Sequence, residues 1–235
     1  MMRRFYLLIN FCAFLVSLQS KAAEEKKAGT APTYRISANA LLLSQFVDRG
    51  LAISDKNPAL NASFLFNFGS QFKLGFWGSN ISHVSAADDN FWFKLLAEIK
   101  IDFSDKSAVK LYLHDDKYYK LNIRNGQRAG LLLNYNLWNA QAEWMSNYEG
   151  TSTFAQYLNV GKAYIFKQDY SLGAKLGYVM QTAPGLENYF DLKAYVDYQM
   201  TLNSRLELGG TMVSNNSQFG NRGDPAVFGL LELVF

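Results

Sequence analysis

The 235 residues carry 49% apolar, 15% aromatic and 18% charged side chains, which is too apolar for a disordered chain. With 23 basic residues against 20 acidic ones, the formal net charge of +3 is too small to make a nucleic-acid surface. The length allows one large domain or two small ones, and a lone cysteine, Cys12, excludes a disulfide framework.

The chain opens on a basic Met1-Met2-Arg3-Arg4, an apolar run from Phe5 to Leu18 and a small-x-small site at Ser20-Lys21-Ala22. That is the pattern of a secretory signal peptide over residues 1–22, too short and wrongly flanked for a spanning helix. A single N-terminal anchor is the alternative. Cleavage removes Arg3, Arg4 and Lys21, so 20 of the 23 basic residues remain against 20 acidic ones. The mature chain is then neutral overall and offers no anionic partner a basic face. Cys12 leaves too, without the small residues that precede a lipidated cysteine, so no thiolate metal site or cysteine nucleophile remains. Residues 23–33 (AEEKKAGTAPT) read as a polar tail, and residues 34–235 as one domain.

From Tyr34 onward the apolar period is two, the signature of strands. In Tyr189–Met200, Phe190, Leu192, Ala194, Val196, Tyr198 and Met200 alternate with Asp191, Lys193, Tyr195, Asp197 and Gln199. In Phe91–Phe103, Phe91, Phe93, Leu95, Ala97, Ile99, Ile101 and Phe103 oppose Lys94, Glu98, Lys100 and Asp102. Weaker strands are expected at Arg35–Val47, Ala59–Phe68, Phe72–Asn80, Ala108–Asp115, Arg128–Tyr135, Asn139–Asn147, Thr153–Ala163, Tyr170–Met180, Arg205–Ser214 and Ala226–Phe235. Thr153–Ala163 alternates too poorly to assign its faces. Twelve strands result, several of the length a tilted membrane-crossing strand needs.

The connections alternate in length. Tight ones are Gly69-Ser70, Ser104–Ser107, Asn136–Trp138, Tyr164–Asp169 and Thr201–Ser204. Longer, more polar ones are Asp48–Pro58, Ile81–Asn90, Asp116–Gln127, Gln181–Asn188 and Asn215–Pro225, while Tyr148–Ser152 is short and breaks the trend. An even strand count with alternating turns and loops is the pattern of an all-β, transmembrane, up-and-down antiparallel barrel of the bacterial outer membrane. No later segment reaches 18 consecutive apolar residues, so a spanning helix is not an alternative. A soluble β-sandwich would show the same alternation. Long strands, no core-covering helix and aromatics clustered near strand ends weigh against it. The polar face carries charges throughout, and a dry core would hold them only at several kcal/mol per ion. That face therefore sees water, and the apolar face sees lipid. In the last strand, Val227, Leu231, Leu233 and Phe235 face outward and Glu232 inward.

Two segments add to this. "SANALLLSQFVDRGLAISDKNPAL" and "GFWGSN" resemble the TorF family of bacterial porin-like proteins. The resemblance rests on Ser44, Phe46, Arg49, Gly50, Pro58, Ala59, Gly75, Gly78, Ser79 and Asn80 and is sharp over residues 36–80. It departs at Gln45, where the family has an acidic residue. It implies an outer-membrane barrel and a pore. A terminal aromatic such as Phe235 also resembles the tag by which the outer-membrane assembly machinery recognises such barrels.

Candidate pore-lining residues are Lys94, Lys100, Lys175, Lys193 and Arg205, opposed by Glu98, Asp102, Asp191, Asp197 and Glu207. Such near balance predicts weak ion selectivity. Arg49 has two readings, a charge over the pore mouth or a partner for Asp48 or a neighbouring carboxylate with Gly50 making the turn, and the second is favoured. Ser44 belongs to the same stretch. An enzyme would need a base beside a hydroxyl nucleophile. His83 lies in a polar loop with Ser82, Ser85, Asp88 and Asp89, and His114 precedes Asp115 and Asp116, with no Gly-x-Ser-x-Gly elbow at either. Three consecutive strand residues point to alternating faces, which disfavours a metal at His114. Arg222-Gly223-Asp224 is explained by a turn. The expected function is passive diffusion of small hydrophilic solutes or ions through a lipid-embedded barrel, with no cofactor, metal or nucleic acid. A non-conducting barrel acting through its loops as a structural, adhesion or receptor protein is the alternative.

Overall fold

Each alternating segment pairs antiparallel with the next in sequence, and the last closes on the first. The computed structural model describes residues 34–82, 90–120 and 122–235. The signal peptide, the polar tail and His83 lie outside the described residues. The barrel strands are β1 (Tyr34–Leu43), β2 (Ala59–Phe68), β3 (Phe72–Asn80), β4 (Phe91–Ser104), β5 (Ser107–Tyr118) and β6 (Gly126–Tyr135). They continue as β7 (Trp138–Met145), β8 (Ala155–Lys167), β9 (Tyr170–Gln181), β10 (Tyr189–Thr201), β11 (Ser204–Val213) and β12 (Ala226–Val234). Together they form one closed sheet in which every strand neighbours its sequence neighbours. Closure pairs Asn39–Leu43 with Leu230–Val234, and reciprocal backbone hydrogen bonds between Ala38 and Phe235 extend the seam. No edge is left unpaired.

All twelve expected strands are present. The main difference at strand ends has a common cause: beyond the lipid band both faces are polar, so alternation no longer marks the strand. Thus β5 runs on to Tyr118 through Asp115 and Lys117, an outward ion pair at 3.0 Å. Tight turns fall at residues 69–71, 105–106, 136–137, 168–169 and 202–203, which define the turn end of the barrel. The other connections define the loop end. The one at residues 146–154 is longer than expected, because β7 ends at Met145 and β8 begins at Ala155, so the alternation has no exception.

The barrel is apolar on its outside. Leu60, Leu74, Leu95, Leu158, Leu176, Leu192, Val196 and Leu208 are all exposed outward, as are Tyr34, Phe68, Tyr135, Trp138 and Tyr164 near the turn end and Phe91, Trp144 and Phe190 near the loop end. Only lipid satisfies such a surface, and aromatics at both rims are the girdles of a transmembrane barrel. In β8 the outward set is Leu158, Val160, Lys162, Tyr164 and Phe166, and the inward set includes Ala155, Tyr157, Asn159 and Gly161. The alternation was obscured there because a lysine sits on the lipid face and small residues on the inner one. Lys162 lies 4.6 Å from the Trp138 ring centre, at the turn-end rim where its ammonium reaches water.

Candidate functional site

The fifteen-residue stretch from β1 to β2 contains more apolar residues than a solvated loop holds. Within it, Val47-Asp48 pairs with Leu51-Ala52 in a short antiparallel ribbon. Arg49 and Gly50 form the two-residue turn, with φ of 49° and 78°. Two positive φ values match a type I′ turn, which twists with its strands. Gly50 adopts this conformation freely, whereas an arginine there is unusual and is held by its contacts. The base of the ribbon is closed by Ile53 N–H donating to Phe46 O at 2.7 Å and Phe46 N–H donating to Ser54 Oγ at 2.9 Å.

The hairpin folds into the barrel rather than away from it. Leu51, Ala52, Ile53 and Ser54 are each at most 5% exposed. Phe46 packs on Trp77 of β3 and Trp92 of β4, with ring centres 5.7 and 6.0 Å away. Gln45 Nε2 donates to Val227 O of β12 at 2.6 Å. At the tip, a Cβ added to Gly50 would sit 2.4 Å from Val213 Cγ1 of β11 and 2.7 Å from Asp191 Cβ of β10. Tyr189 of β10 donates its hydroxyl to Arg49 O at 3.3 Å. Arg49 pairs with its neighbour Asp48 at 2.7 Å and with Glu143 of β7 at 2.8 Å. In a twelve-strand ring β7 lies six strands from β1 in either direction, so this last pair spans the lumen to the opposite wall.

Around Arg49 the wall supplies a charge network. Arg128 of β6 bonds to Asp116 of β5 and lies 3.4 Å from Glu143 and 3.7 Å from Asp48. Glu143 also accepts the Tyr112 hydroxyl at 2.9 Å. Tyr112 fits because residue 130 opposite it is glycine; a Cβ there would be 2.0 Å from the ring. Trp92 Nε1 donates to Asp116 at 3.0 Å, and the Lys94 ammonium lies 4.1 Å from the ring centres of both Trp77 and Trp92. Burial raises the Asp48 pKa, but Arg49 and then Arg128 outweigh it and hold the carboxyl below its ordinary value. Burial likewise opposes the Arg49 charge, yet Asp48 and Glu143 keep its pKa well above the ordinary value.

Beneath the hairpin lies a cavity of about 310 Å³, lined by Asn159, Lys175, Asp191 and Lys193 on the wall and by Gln45 to Gly50 above. Toward the turn end, charges pair along strands and between adjacent ones. Arg205 meets Asp197 at 2.9 Å, Glu207 at 3.2 Å and Glu232 at 2.9 Å, and Lys193 meets Glu207 at 2.6 Å. Lys110 pairs with Glu98 at 3.2 Å, and Lys100 with Asp102 at 2.8 Å.

All ten residues expected to line a pore therefore sit on the inward face, but in different surroundings. Lys193, Asp197, Arg205 and Glu207 form one cluster with Glu232, and Asp191 and Lys175 border the cavity. Glu98 joins Lys110 rather than Lys94, and Lys94 is clamped by indoles. The motif residues hold the strand ends together. Ser44 Oγ accepts Gly229 N–H at 2.8 Å, Asn80 Oδ1 accepts Leu60 N–H at 2.6 Å, and Ser79 donates to Asn61.

One expectation changes. Residues 48–58 are not an exposed polar loop, because their apolar side chains find a core inside the barrel mouth. Arg222, read from sequence as part of a turn, is held against the barrel mouth. It is 12% exposed and pairs with Glu149 at 3.0 Å, and Arg124 bonds to the same carboxylate. His114 stacks on Tyr112 inside the barrel at 4.6 Å, away from the lipid face a lipid hydrolase would use. Asp116 was missed as a site residue because it was assigned to a loop; its two-residue spacing from His114 was the signal that it shares the inner face.

These features define a class: a twelve-stranded transmembrane β-barrel whose charged interior is capped at one end by its own first loop. The chain belongs to Gcw_chp, a bacterial protein family of unknown function, whose model matches residues 27–224. No curated protein matches the sequence. Among solved structures, the KdgM porin is similar at a TM-score of 0.54 and 12% identity, covering 86% of this chain and 98% of its own. The NanC porin is similar at 0.55 and 7% identity, covering 85% and 98%. At identities this low the likeness is one of barrel fold alone.

Proposed function

We propose that this protein is an outer-membrane channel through which small hydrophilic solutes or ions diffuse passively, with its loop-end mouth narrowed by the Phe46–Ser54 hairpin. The observation that carries this reading is the interior, where charges of both signs line the wall from Lys94 to Glu232 around a cavity of about 310 Å³. A barrel with a purely structural role gains little from an interior of paired charges, because desolvating them offsets their attraction unless water or a polar solute reaches them. Twelve strands fall between the eight that side chains fill and the 16–18 that leave a wide channel. The TorF resemblance over residues 36–80 and the porin fold support the same reading. Export by a signal peptide over residues 1–22, recognition by the assembly machinery through Phe235, and an outer-leaflet orientation of the loop end belong to this proposal. The near balance of lumen charge predicts little preference between cations and anions.

The hairpin's ion pair to the opposite wall favours a second reading, a barrel that stays shut and works through its loops. Single-channel recording of the refolded full-length protein in a planar bilayer separates them. The channel reading expects small, discrete steps with a cation-to-anion permeability ratio near one. A correctly folded, heat-modifiable barrel that never conducts, at any voltage or with the hairpin removed, supports the second reading instead.

A further inference from the structure

The cavity beneath the hairpin has two unlike sides. Leu41 and Leu43 of β1 with Phe228 and Leu230 of β12 supply an apolar one, and Lys175 of β9 with Lys193 of β10 a cationic one. Inward positions of a membrane barrel are ordinarily polar, and water gains nothing from adjacent hydrocarbon side chains. Leu43 and Leu230 are directly opposed across the closing seam, and Leu41 and Phe228 are the next inward residues on their strands. The two sides meet at Phe228, whose ring centre lies 4.6 Å from the Lys193 ammonium.

The cationic side holds more positive charge than the wall answers. Lys175 and Lys193 are directly opposed across β9 and β10, where like charges repel. Their ammoniums lie 6.0 and 5.0 Å from the centre of the Tyr195 ring, so both border one aromatic side chain. Glycines seat this arrangement. A Cβ on Gly161 would be 2.7 Å from Lys175 Cγ, and one on Gly173 would be 2.2 Å from the Tyr195 ring. Glu207 meets Lys193 at 2.6 Å but is shared with Arg205. Lys175, only half-buried, forms no ion pair among the described residues, and its 6.0 Å to Tyr195 is the outer limit of a cation–π contact. The acids on the cavity are occupied elsewhere. Asp48 and Glu143 are held by Arg49. Asp191 is 4% exposed, accepts the Tyr157 hydroxyl at 3.3 Å and is covered by Gly50 of the hairpin tip.

We propose that the cavity binds a small organic monocarboxylate. Its carboxylate is received by the Lys175 and Lys193 ammoniums, and its short hydrocarbon chain lies on Phe228, Leu41 and Leu43. An inorganic anion would leave the apolar side bare, and an uncharged hydrocarbon would leave Lys175 unanswered. A volume of about 310 Å³ suits such a molecule. The preference belongs to this cavity and not to the lumen as a whole, whose charge is near balance. As the solute of a pore it rests on the channel reading and deepens it, but binding itself needs no open mouth.

Calorimetric titration of the full-length protein, refolded in detergent at pH 7, tests it with four probes: butyrate, acetate, butyramide and butylammonium. Butyrate is expected to bind saturably, and about tenfold or more tighter than butyramide or butylammonium, which lack the carboxylate. It should also bind about fivefold or more tighter than acetate, because two further methylenes leave water. Lys175→Met is expected to weaken butyrate by about tenfold or more, and Leu41→Asn to remove its advantage over acetate, with heat-modifiable migration retained in both. Butyrate bound no tighter than any one of the other three probes overturns the proposal, and so does unchanged butyrate affinity in folded Lys175→Met. The probe comparison uses the unaltered protein, so it decides even where a variant misfolds. Conductance is read separately: a barrel that conducts without binding butyrate sinks the carboxylate site alone, and one that binds without conducting sinks the channel alone.

Discussion

The two halves of the barrel interior are built differently. At the loop end, Trp92, Val179 and Tyr189 are at most 1% exposed, and the hairpin fills the space between them. There, Arg49 and Glu143 pair across the lumen. At the turn end the side chains of Arg205, Lys100 and Asp102 are 31%, 46% and 48% exposed, and they pair along the wall. The same strands thus carry a dry core at one end and a wet ladder at the other. What makes the difference is a loop and not the barrel's diameter.

If the loop-end half is a true core, its aromatic residues carry the largest stability effects. Trp92→Ala removes the ring on which Phe46 packs and the donor to Asp116, and is expected to cost about 3–5 kcal/mol. The midpoint of urea unfolding from lipid vesicles reads this, and a loss under 1 kcal/mol would place the hairpin elsewhere. Arg49→Ala follows. It leaves Glu143 buried and Asp48 partly buried, with Arg128 as their remaining ion-pair partner, at an expected cost of about 3 kcal/mol. The same variant should make the channel flicker to larger conductance, because the tip loses its hold on β7.

Acid sharpens the comparison further. The Asp48 pKa is lowered in the folded protein, so its pairing stabilises the docked hairpin at every pH above the ordinary carboxylate range. That stabilisation is lost only as pH falls through the lowered value. Currents should be unchanged from pH 8 to about 5 and grow only below about pH 4. Growth that begins near pH 6 would assign the latch to a different group. The smallest effect belongs to the turn end. Arg205→Ala breaks three pairs, yet the side chain is nearly a third exposed and screened by water, so a change of about 1 kcal/mol or less is expected. Its consequence is a shift of permeability toward cations, measured as a reversal potential in a salt gradient.

Much of this architecture was legible in the sequence. Period-two alternation located the twelve strands, most clearly where an unbroken apolar row faces lipid, as Phe190 to Met200 shows, and least in β8, where Lys162 interrupts that row. The hairpin was not legible. Val47, Leu51, Ala52 and Ile53 are too few to set a period, and although the Asp48–Arg49 pair and the Gly50 turn were expected from "DRG", nothing in it says that the turn folds inward. The one signal was an apolar excess in a connection otherwise assigned to water. Asp116 was hidden for another reason: its strand outruns the lipid band, where alternation stops reporting which face is which. The cavity charges were found individually as inward residues, but only the fold sets Lys175 opposite Lys193 beside the Tyr195 ring.

The central claim is that the first loop, not the barrel wall, sets the size of the passage. Single-channel conductance of the full-length protein beside a variant with residues 46–54 replaced by a short Gly-Ser linker tests it directly. A several-fold larger conductance in the folded variant is predicted. Equal conductance in the two, with both barrels heat-modifiable, would contradict it.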